Sequence, residues 1–284
     1  MGNLYVVATP IGNLKDMTQR AIDTLKEVDY ILCEDTRTSL KLLNHFDIKN
    51  KLVSYHKFNE NERVNSIVKD LKSGINIAVI SDAGTPCIND PGEVIVKRAR
   101  EESIPVFGIG GISAVITALS ISGLDTSSFT YYGFFPRELK EQKKLINNIK
   151  ESDIKTYVFY ESPKRIIKTL ELLEKELPNI KVSICKELTK LYEKNYYGNI
   201  TRVLEKLKSD EKATVGEYTF IIEKESIDKK EEVDLTIESQ LIDLMVKNNI
   251  SLKEAIDLLS KSTSNLSKKE IYNASLNLKD MFNK

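Results

Sequence analysis

The chain has no tryptophan, three cysteines, two histidines, seven prolines and no excess of either charge. Each scarcity excludes something. Cys33, Cys87 and Cys185 are odd in number and far apart. They suit a reducing cytoplasm and three separate small hydrophobes, not a disulfide framework or a zinc site. His45 and His56 are too few for a His-rich centre, so no metal is expected, and they leave little room for histidine acid–base chemistry. His56 sits in the polar stretch Ser54-Tyr55-His56-Lys57-Phe58-Asn59 and is expected on a surface or substrate loop. Lys plus Arg equals Asp plus Glu at 42 each, so gross attraction to polyanions is not expected, although a local basic face can hide in a neutral total. No apolar run reaches the roughly 20 residues needed to cross a bilayer, so no membrane is expected. The N-terminus, Met1-Gly2-Asn3-Leu4-Tyr5-Val6-Val7, enters a strand-like run without a secretory signal.

What is present reads as a soluble globular chain. Its 284 residues, 41% apolar and 30% charged, are long enough for about two cores. Strand and helix patterns alternate. Leu4–Ala8, Tyr30–Cys33, Leu52–Tyr55, the Ile77 run and the Val106 run are strand-like. Between them, Thr18–Val28, Thr38–Phe46, Glu60–Ser73 and Gly92–Glu102 carry apolar residues at helical spacing. That order argues for a mainly parallel sheet over residues 1–111. Ile112–Gly123 is small and apolar and is expected to be a helix buried between two domains. Phe129–Pro136, Thr156–Tyr160, Val182–Cys185 and Tyr218–Glu223 are further strands, with helices at Arg137–Ile149 and from Ser162 to Leu177. A second α/β domain is therefore expected over 112–223. A charged linker, 224–234, leads to a helical appendage, 235–284, with two or three helices. Ser251-Leu252-Lys253-Glu254 and Ser267-Lys268-Lys269-Glu270 match the capping box. Two such helices fit either a helix-turn-helix or a plain helical appendage.

The chemistry concentrates in the turns that follow strands. Ile77-Ala78-Val79-Ile80 runs into Ser81-Asp82-Ala83-Gly84-Thr85-Pro86, and Val106-Phe107 into Gly108-Ile109-Gly110-Gly111. Neither has a phosphate-binding spacing, and the first has no lysine. An acidic turn suits a ligand carrying positive charge better than one led by phosphates. Thr9-Pro10-Ile11-Gly12-Asn13-Leu14, Cys33-Glu34-Asp35-Thr36-Arg37, Phe159-Tyr160-Glu161-Ser162-Pro163 and Cys185-Lys186-Glu187-Leu188-Thr189-Lys190 also follow strands. Gathered at one sheet edge, they make a polar crevice.

On five of these turns, Thr9–Leu14, Cys33–Arg37, Ser81–Pro86, Phe159–Pro163 and Lys186–Lys190, the chain resembles the tetrapyrrole-methylase-like, class III S-adenosylmethionine (SAM) methyltransferases. Within them it is similar to the ribosomal small subunit methyltransferase I family, over essentially its whole length. It departs from the usual family pattern at Gly110, where proline is common, and at Lys164, where histidine is common. The resemblance implies two α/β domains, the first sheet mainly parallel and the second mixed, with SAM in the cleft between them. Pro10, Asp82, Ala83, Gly84, Thr85, Pro86, Ile88, Gly111, Ser113, Thr117, Ala118, Tyr160, Leu188 and Glu217 should line that pocket. It also implies a cytoplasmic homodimer that methylates the ribose 2′-oxygen of a cytidine in the decoding region of 16S rRNA, in the small ribosomal subunit. Glu34, Asp35, Glu161 and Glu187 are candidate bases. Arg37, Lys186 and Lys164 are candidate cations for phosphate or a developing alkoxide. Two other readings stay open: a tetrapyrrole methyltransferase of the same fold, and a non-catalytic ribosome-binding module with a vestigial pocket. The aromatic run Tyr131–Phe135 is expected to be strand core.

Overall fold

The computed structural model describes residues 1–225, 236–262 and 266–282. The chain divides into two compact units, Met1–Glu225 and Ser226–Lys284. Residues 226–234 of the expected linker lie outside the described residues.

The first unit opens with five short strands. They are β1 (Leu4–Val7), β2 (Tyr30–Cys33), β3 (Leu52–Ser54), β4 (Ile77–Val79) and β5 (Val106–Ile109), in the order β3-β2-β4-β1-β5, every pairing parallel. Parallel strands need crossovers, and four helices supply them: α1 (Gln19–Glu27), α2 (Thr36–His45), α3 (Glu60–Lys72) and α4 (Glu93–Glu101). Strand side chains alternate faces. Ile31 and Ala78 therefore join Ala21, Leu25 and Leu43 beneath α1 and α2. Their neighbours Leu32 and Val79 join Ile67, Leu71, Ile95 and Ala99 beneath α3 and α4. Burial on both faces is why these strands read as continuous apolar runs. Capping sets the helix entries: the Thr18 hydroxyl accepts from the Ala21 amide at 3.2 Å, opening α1.

A second five-stranded sheet follows. Its strands are β6 (Phe129–Phe134), β7 (Thr156–Glu161), β8 (Lys181–Lys186), β9 (Lys194–Asn199) and β10 (Tyr218–Glu223), ordered β6-β7-β10-β8-β9. Only β6 and β7 pair parallel; the other pairings are antiparallel. Helices α6 (Leu139–Glu151), α7 (Ile166–Glu176) and α8 (Ile200–Lys208) cover one face. Helix α5 (Ala114–Ile121) covers the other, where Val115, Ala118 and Leu119 meet Val158, Cys185 and Ile221. Ile11, from the turn after β1, packs into this same cluster beside Leu188, so an apolar contact joins the two sheets. The expected α/β class, with a parallel first sheet, a mixed second sheet and C-terminal helices, is the observed one.

Three details differ from the sequence reading. Strand β9 and helix α8 were not expected. Strand β9 reads Lys-Asn-Tyr-Tyr-Gly-Asn and sits at a mostly exposed sheet edge, so it lacks an apolar signature. Helix α5 is buried on one face only, and Ile116 and Ile121 remain exposed. The aromatic run is not simply core: Phe135 is buried, but Tyr132 and Phe134 are exposed along the edge strand β6.

The second unit holds α9 (Ile237–Asn248), α10 (Leu252–Ser262) and α11 (Lys268–Phe282) around Leu241, Ala255, Leu259, Ile271, Ala274 and Leu278. Both capping boxes form. Glu254 accepts from the Ser251 amide at 2.8 Å, and Glu270 accepts from the Ser267 amide at 2.8 Å. The serine hydroxyls accept in return from the Glu254 and Glu270 amides. Among the described residues, no helix is long and apolar enough to cross a membrane. Replacing Ser267 by Ala should cost the first turn of α11 about 1 kcal/mol. Faster amide exchange confined to that turn is the expected readout, while exchange in the two sheets stays unchanged.

Candidate functional site

The turns that leave the first sheet are fastened to one another. The Thr9 amide donates to the Gly84 carbonyl at 2.9 Å, and the Gly84 amide returns the bond to Thr9 at 3.0 Å. The Thr9 hydroxyl lies 3.2 Å from the Ser81 carbonyl, to which it donates. Pro10, Gly84 and Pro86 are buried in this knot, while Asp82, Ala83 and Thr85 are exposed on its rim. The Asp35 amide donates to an Asp82 oxygen at 3.2 Å, which ties the turn after β2 to the turn after β4. On the other side, a Cβ placed on Gly111 would lie 2.9 Å from the Ala8 Cβ. Only glycine lets the turn after β5 approach β1 so closely.

This edge is acidic. Asp82 is held above the ordinary carboxylate range, by burial first and then by the charge of Asp35. Asp90, in the loop after β4, is pushed up to about 6. Burial is the main cause; the charges of Glu34 and Asp82 add to it, and a Ser81 hydrogen bond and the Lys57 charge oppose it. Carboxylates that raise one another's pKa in this way are stabilised by an incoming cation and repel phosphate. The sequence reading missed Asp90. Its neighbour Glu34 lies far from it in the chain, and only the fold brings their charges together.

At the second sheet, strand alternation divides the candidates. Tyr160 and Cys185 face α5 and Ile11, whereas Glu161 and Lys186, one residue on, face α7 and α8. There Glu161 is fully enclosed. It accepts from the Thr169 hydroxyl at 2.7 Å and the Ser162 amide at 2.7 Å, and pairs with Arg165 at 3.2 Å. Lys186 is likewise buried, with its ammonium 3.0 Å from Asp210. Tyr196, Lys186 and Lys194 together hold Asp210 far below the usual carboxylate range. Glu161 and Lys186 therefore tie the second sheet to its helices, with their side chains on the helix side of the sheet. Ala118 is completely enclosed in the α5 cluster.

The remaining candidates lie along the loops. Asp35 caps α2 by accepting from the Arg37 amide at 2.8 Å, and Arg37 is exposed on the first turn of that helix. Lys164 is exposed, Ile88 is exposed, and Ser113 and Thr117 are half-buried at the start of α5. Leu188 is buried beside Ile11. Glu187 and Thr189 both have positive φ, 53° and 66°. For a β-branched residue such as Thr189 this is a strained conformation. Its hydroxyl oxygen is buried with no hydrogen-bond partner in the structure. Lys190 braces the loop, 3.0 Å from Glu187 and 2.9 Å from Glu217. Burial alone would lower the Lys190 pKa, but its bonds to Glu217 and Glu187 outweigh that and raise it. Its stem lies against Gly12, where a Cβ would come within 2.6 Å. The loop after β8 and the turn after β1 thus meet through Lys190 with Gly12, and both contribute to the apolar cluster that holds Ile11 and Leu188.

The strand-end turns of the two α/β layers meet at the apolar cluster that takes in Ile11 and Leu188, with Glu34, Asp82 and Asp90 close together at the edge of the first sheet. The family model described as Tetrapyrrole (Corrin/Porphyrin) Methylases matches residues 3–204. Ribosomal RNA small subunit methyltransferase I of Halalkalibacterium halodurans is 44% identical over 277 residues, 96% of this chain and 94% of that one. The Bacillus subtilis protein of the same name is 40% identical over 278 residues, again 96% and 94%. Among solved structures, uroporphyrin-III-C-methyltransferase from Thermus thermophilus shares the fold, with a TM-score of 0.53 and 17% identity over 78% of this chain and 94% of that one. The chain belongs to the tetrapyrrole methylases and, within them, to the ribosomal RNA small subunit methyltransferase I family.

The raised Asp90 pKa carries a stability consequence. Between about pH 4 and 6 the folded state holds this proton more tightly than the unfolded chain, so stability falls as pH rises through that window. Asp90→Asn removes the penalty. It should raise Tm at pH 7.5, by at most about 2 kcal/mol of stability after solvent screening, and should have no effect below about pH 4. Scanning calorimetry at the two pH values checks this.

Proposed function

We propose that this methyltransferase-family chain uses SAM to methylate the ribose 2′-oxygen of a cytidine in the decoding region of 16S rRNA. Similarity to ribosomal RNA small subunit methyltransferase I proteins along nearly the whole chain carries this reading. The donor set fits the cofactor. SAM bears a sulfonium and an ammonium, and the edge formed by Glu34, Asp82 and Asp90 offers negative charge with no phosphate cradle. Pro10, the Asp82–Pro86 turn and Gly111 on one side, and Tyr160 and Leu188 on the other, are the residues proposed to hold it. When bound, SAM supplies an electrophilic methyl group.

The protein's own part is alignment and proton handling. The knotted turns fix the cofactor side, and the Ile11–Leu188 contact keeps water from the junction of the two layers. The ribose hydroxyl would be held in line with the donor's methyl group, and a carboxylate of this chain would take its proton as the oxygen is methylated. Glu34, Asp90 and Glu187 are the carboxylates on the ligand side that can accept it. Asp90, pushed up to about 6, is suited to a general base. Arg37 is proposed to meet RNA phosphate. A homodimer acting in the cytoplasm on the small ribosomal subunit completes the reading.

Mass spectrometry of 16S rRNA nucleosides, after incubating unmodified small subunits with protein and SAM, tests the proposal. One additional 2′-O-methylcytidine in the decoding region is expected. Absence of RNA methylation with transfer to a porphyrinoid would overturn it.

A further inference from the structure

Strand β6 carries a feature that the cofactor cleft does not explain. Register is lost between Tyr131 and Phe134, where β6 bulges against β7. Gly133 makes the bulge, with φ of 71°, and a Cβ there would lie 2.2 Å from the Asn89 side-chain nitrogen. No other residue fits both the backbone and the space. The bulge sends Tyr132 to the α6 face, where it stacks on Phe159 at 5.6 Å with 7° between the rings. It sends Phe134 to the opposite side, edge-on to Tyr160 at 5.6 Å. Phe134 is nonetheless 60% exposed.

The exposed ring is held rigidly. The Phe135 amide donates to the Tyr160 carbonyl at 3.0 Å, and Phe135 itself is buried. Arg165, already paired with Glu161, donates to the Phe135 and Pro136 carbonyls at 3.1 and 2.7 Å. A fixed backbone holding an exposed phenyl beside a cleft is poor for folding and good for stacking. At the open edge of β6, Tyr132, Phe134 and Pro136 line a groove together with Glu141 and Lys144 of α6. Residues 137–144 contain four cations, Arg137, Lys140, Lys143 and Lys144, against two anions, Glu138 and Glu141. This is a local basic stretch in a neutral chain, where a polyanion gains.

We propose that Phe134 is the stacking platform for an unpaired base of the RNA substrate, with the basic stretch that begins at Arg137 receiving the adjoining backbone phosphates. Single-stranded RNA is recognised by splayed bases stacked on aromatic rings, and one such stack contributes roughly 5- to 150-fold in binding. The proposal rests on the reading that the substrate is rRNA.

The absence of tryptophan gives a direct test. Phe134→Trp introduces the sole indole, and its emission should be quenched when a short single-stranded oligoribonucleotide is added to the full-length protein. Phe129→Trp, at the far end of β6, should not respond. In turnover on small subunits, Phe134→Ala should raise KM about 5-fold or more with SAM affinity unchanged, and Phe134→Tyr should restore it. Equal quenching at both positions, or an unchanged KM in Phe134→Ala, overturns the proposal. So does a dimer that dissociates in Phe134→Ala while KM holds, because the ring would then be covered by a second copy. Quenching needs no turnover, so a wild-type protein that methylates no RNA would refute the proposed function and leave the stacking result to be read separately.

Discussion

The alternation of side chains at the strand ends is the constraint on which this site depends. One residue of sequence moves a side chain from one face of a sheet to the other. At the ends of β7 and β8 it puts Tyr160 against the α5 cluster and Glu161 and Lys186 beneath the helices of the other face. There Glu161 is closed in by Thr169, Ser162 and Arg165, and Lys186 by Asp210. The buried charges are paired, as buried charges must be. They hold the second layer rigid enough for the loop after β8 to keep its strained Glu187 and Thr189 conformations.

The opposite arrangement operates at the first sheet. Glu34, Asp82 and Asp90 are brought together, and Asp82 and Asp90 hold protons more tightly than usual, through burial first and through neighbouring carboxylate charge second. Stability is lost at neutral pH to keep negative charge at the mouth of the cleft. Such sites are common where a charged ligand later supplies the missing partner. The bulge at Gly133 follows the same logic with apolar surface, leaving Phe134 in water beside the cleft.

Much of the first unit was legible in the sequence because its elements obey simple periods. Ala21, Ile22, Leu25 and Val28 mark α1, and the continuous apolar strands mark burial on both faces. The serine–glutamate spacing located the starts of α10 and α11, and both boxes form. Strand β9 was illegible because an exposed edge strand needs no apolar residues. The charged site residues were legible as turn members but not by face, so Glu161 and Lys186 were grouped with residues that point elsewhere. Asp90 and Phe134 escaped for a related reason: one is set apart by burial and by Glu34, distant in the chain, and the other by a bulge that local pattern does not reveal.

The central claim is that the acidic edge exists to receive a cationic methyl donor. Calorimetric titration of SAM into the wild-type protein and into an Asp82→Asn, Asp90→Asn double variant measures it most directly. The account predicts one SAM bound per chain, with affinity at least about tenfold weaker in the double variant, a loss of about 1.4 kcal/mol. No binding by the wild-type protein at millimolar SAM, or equal affinity in the two proteins, would contradict it.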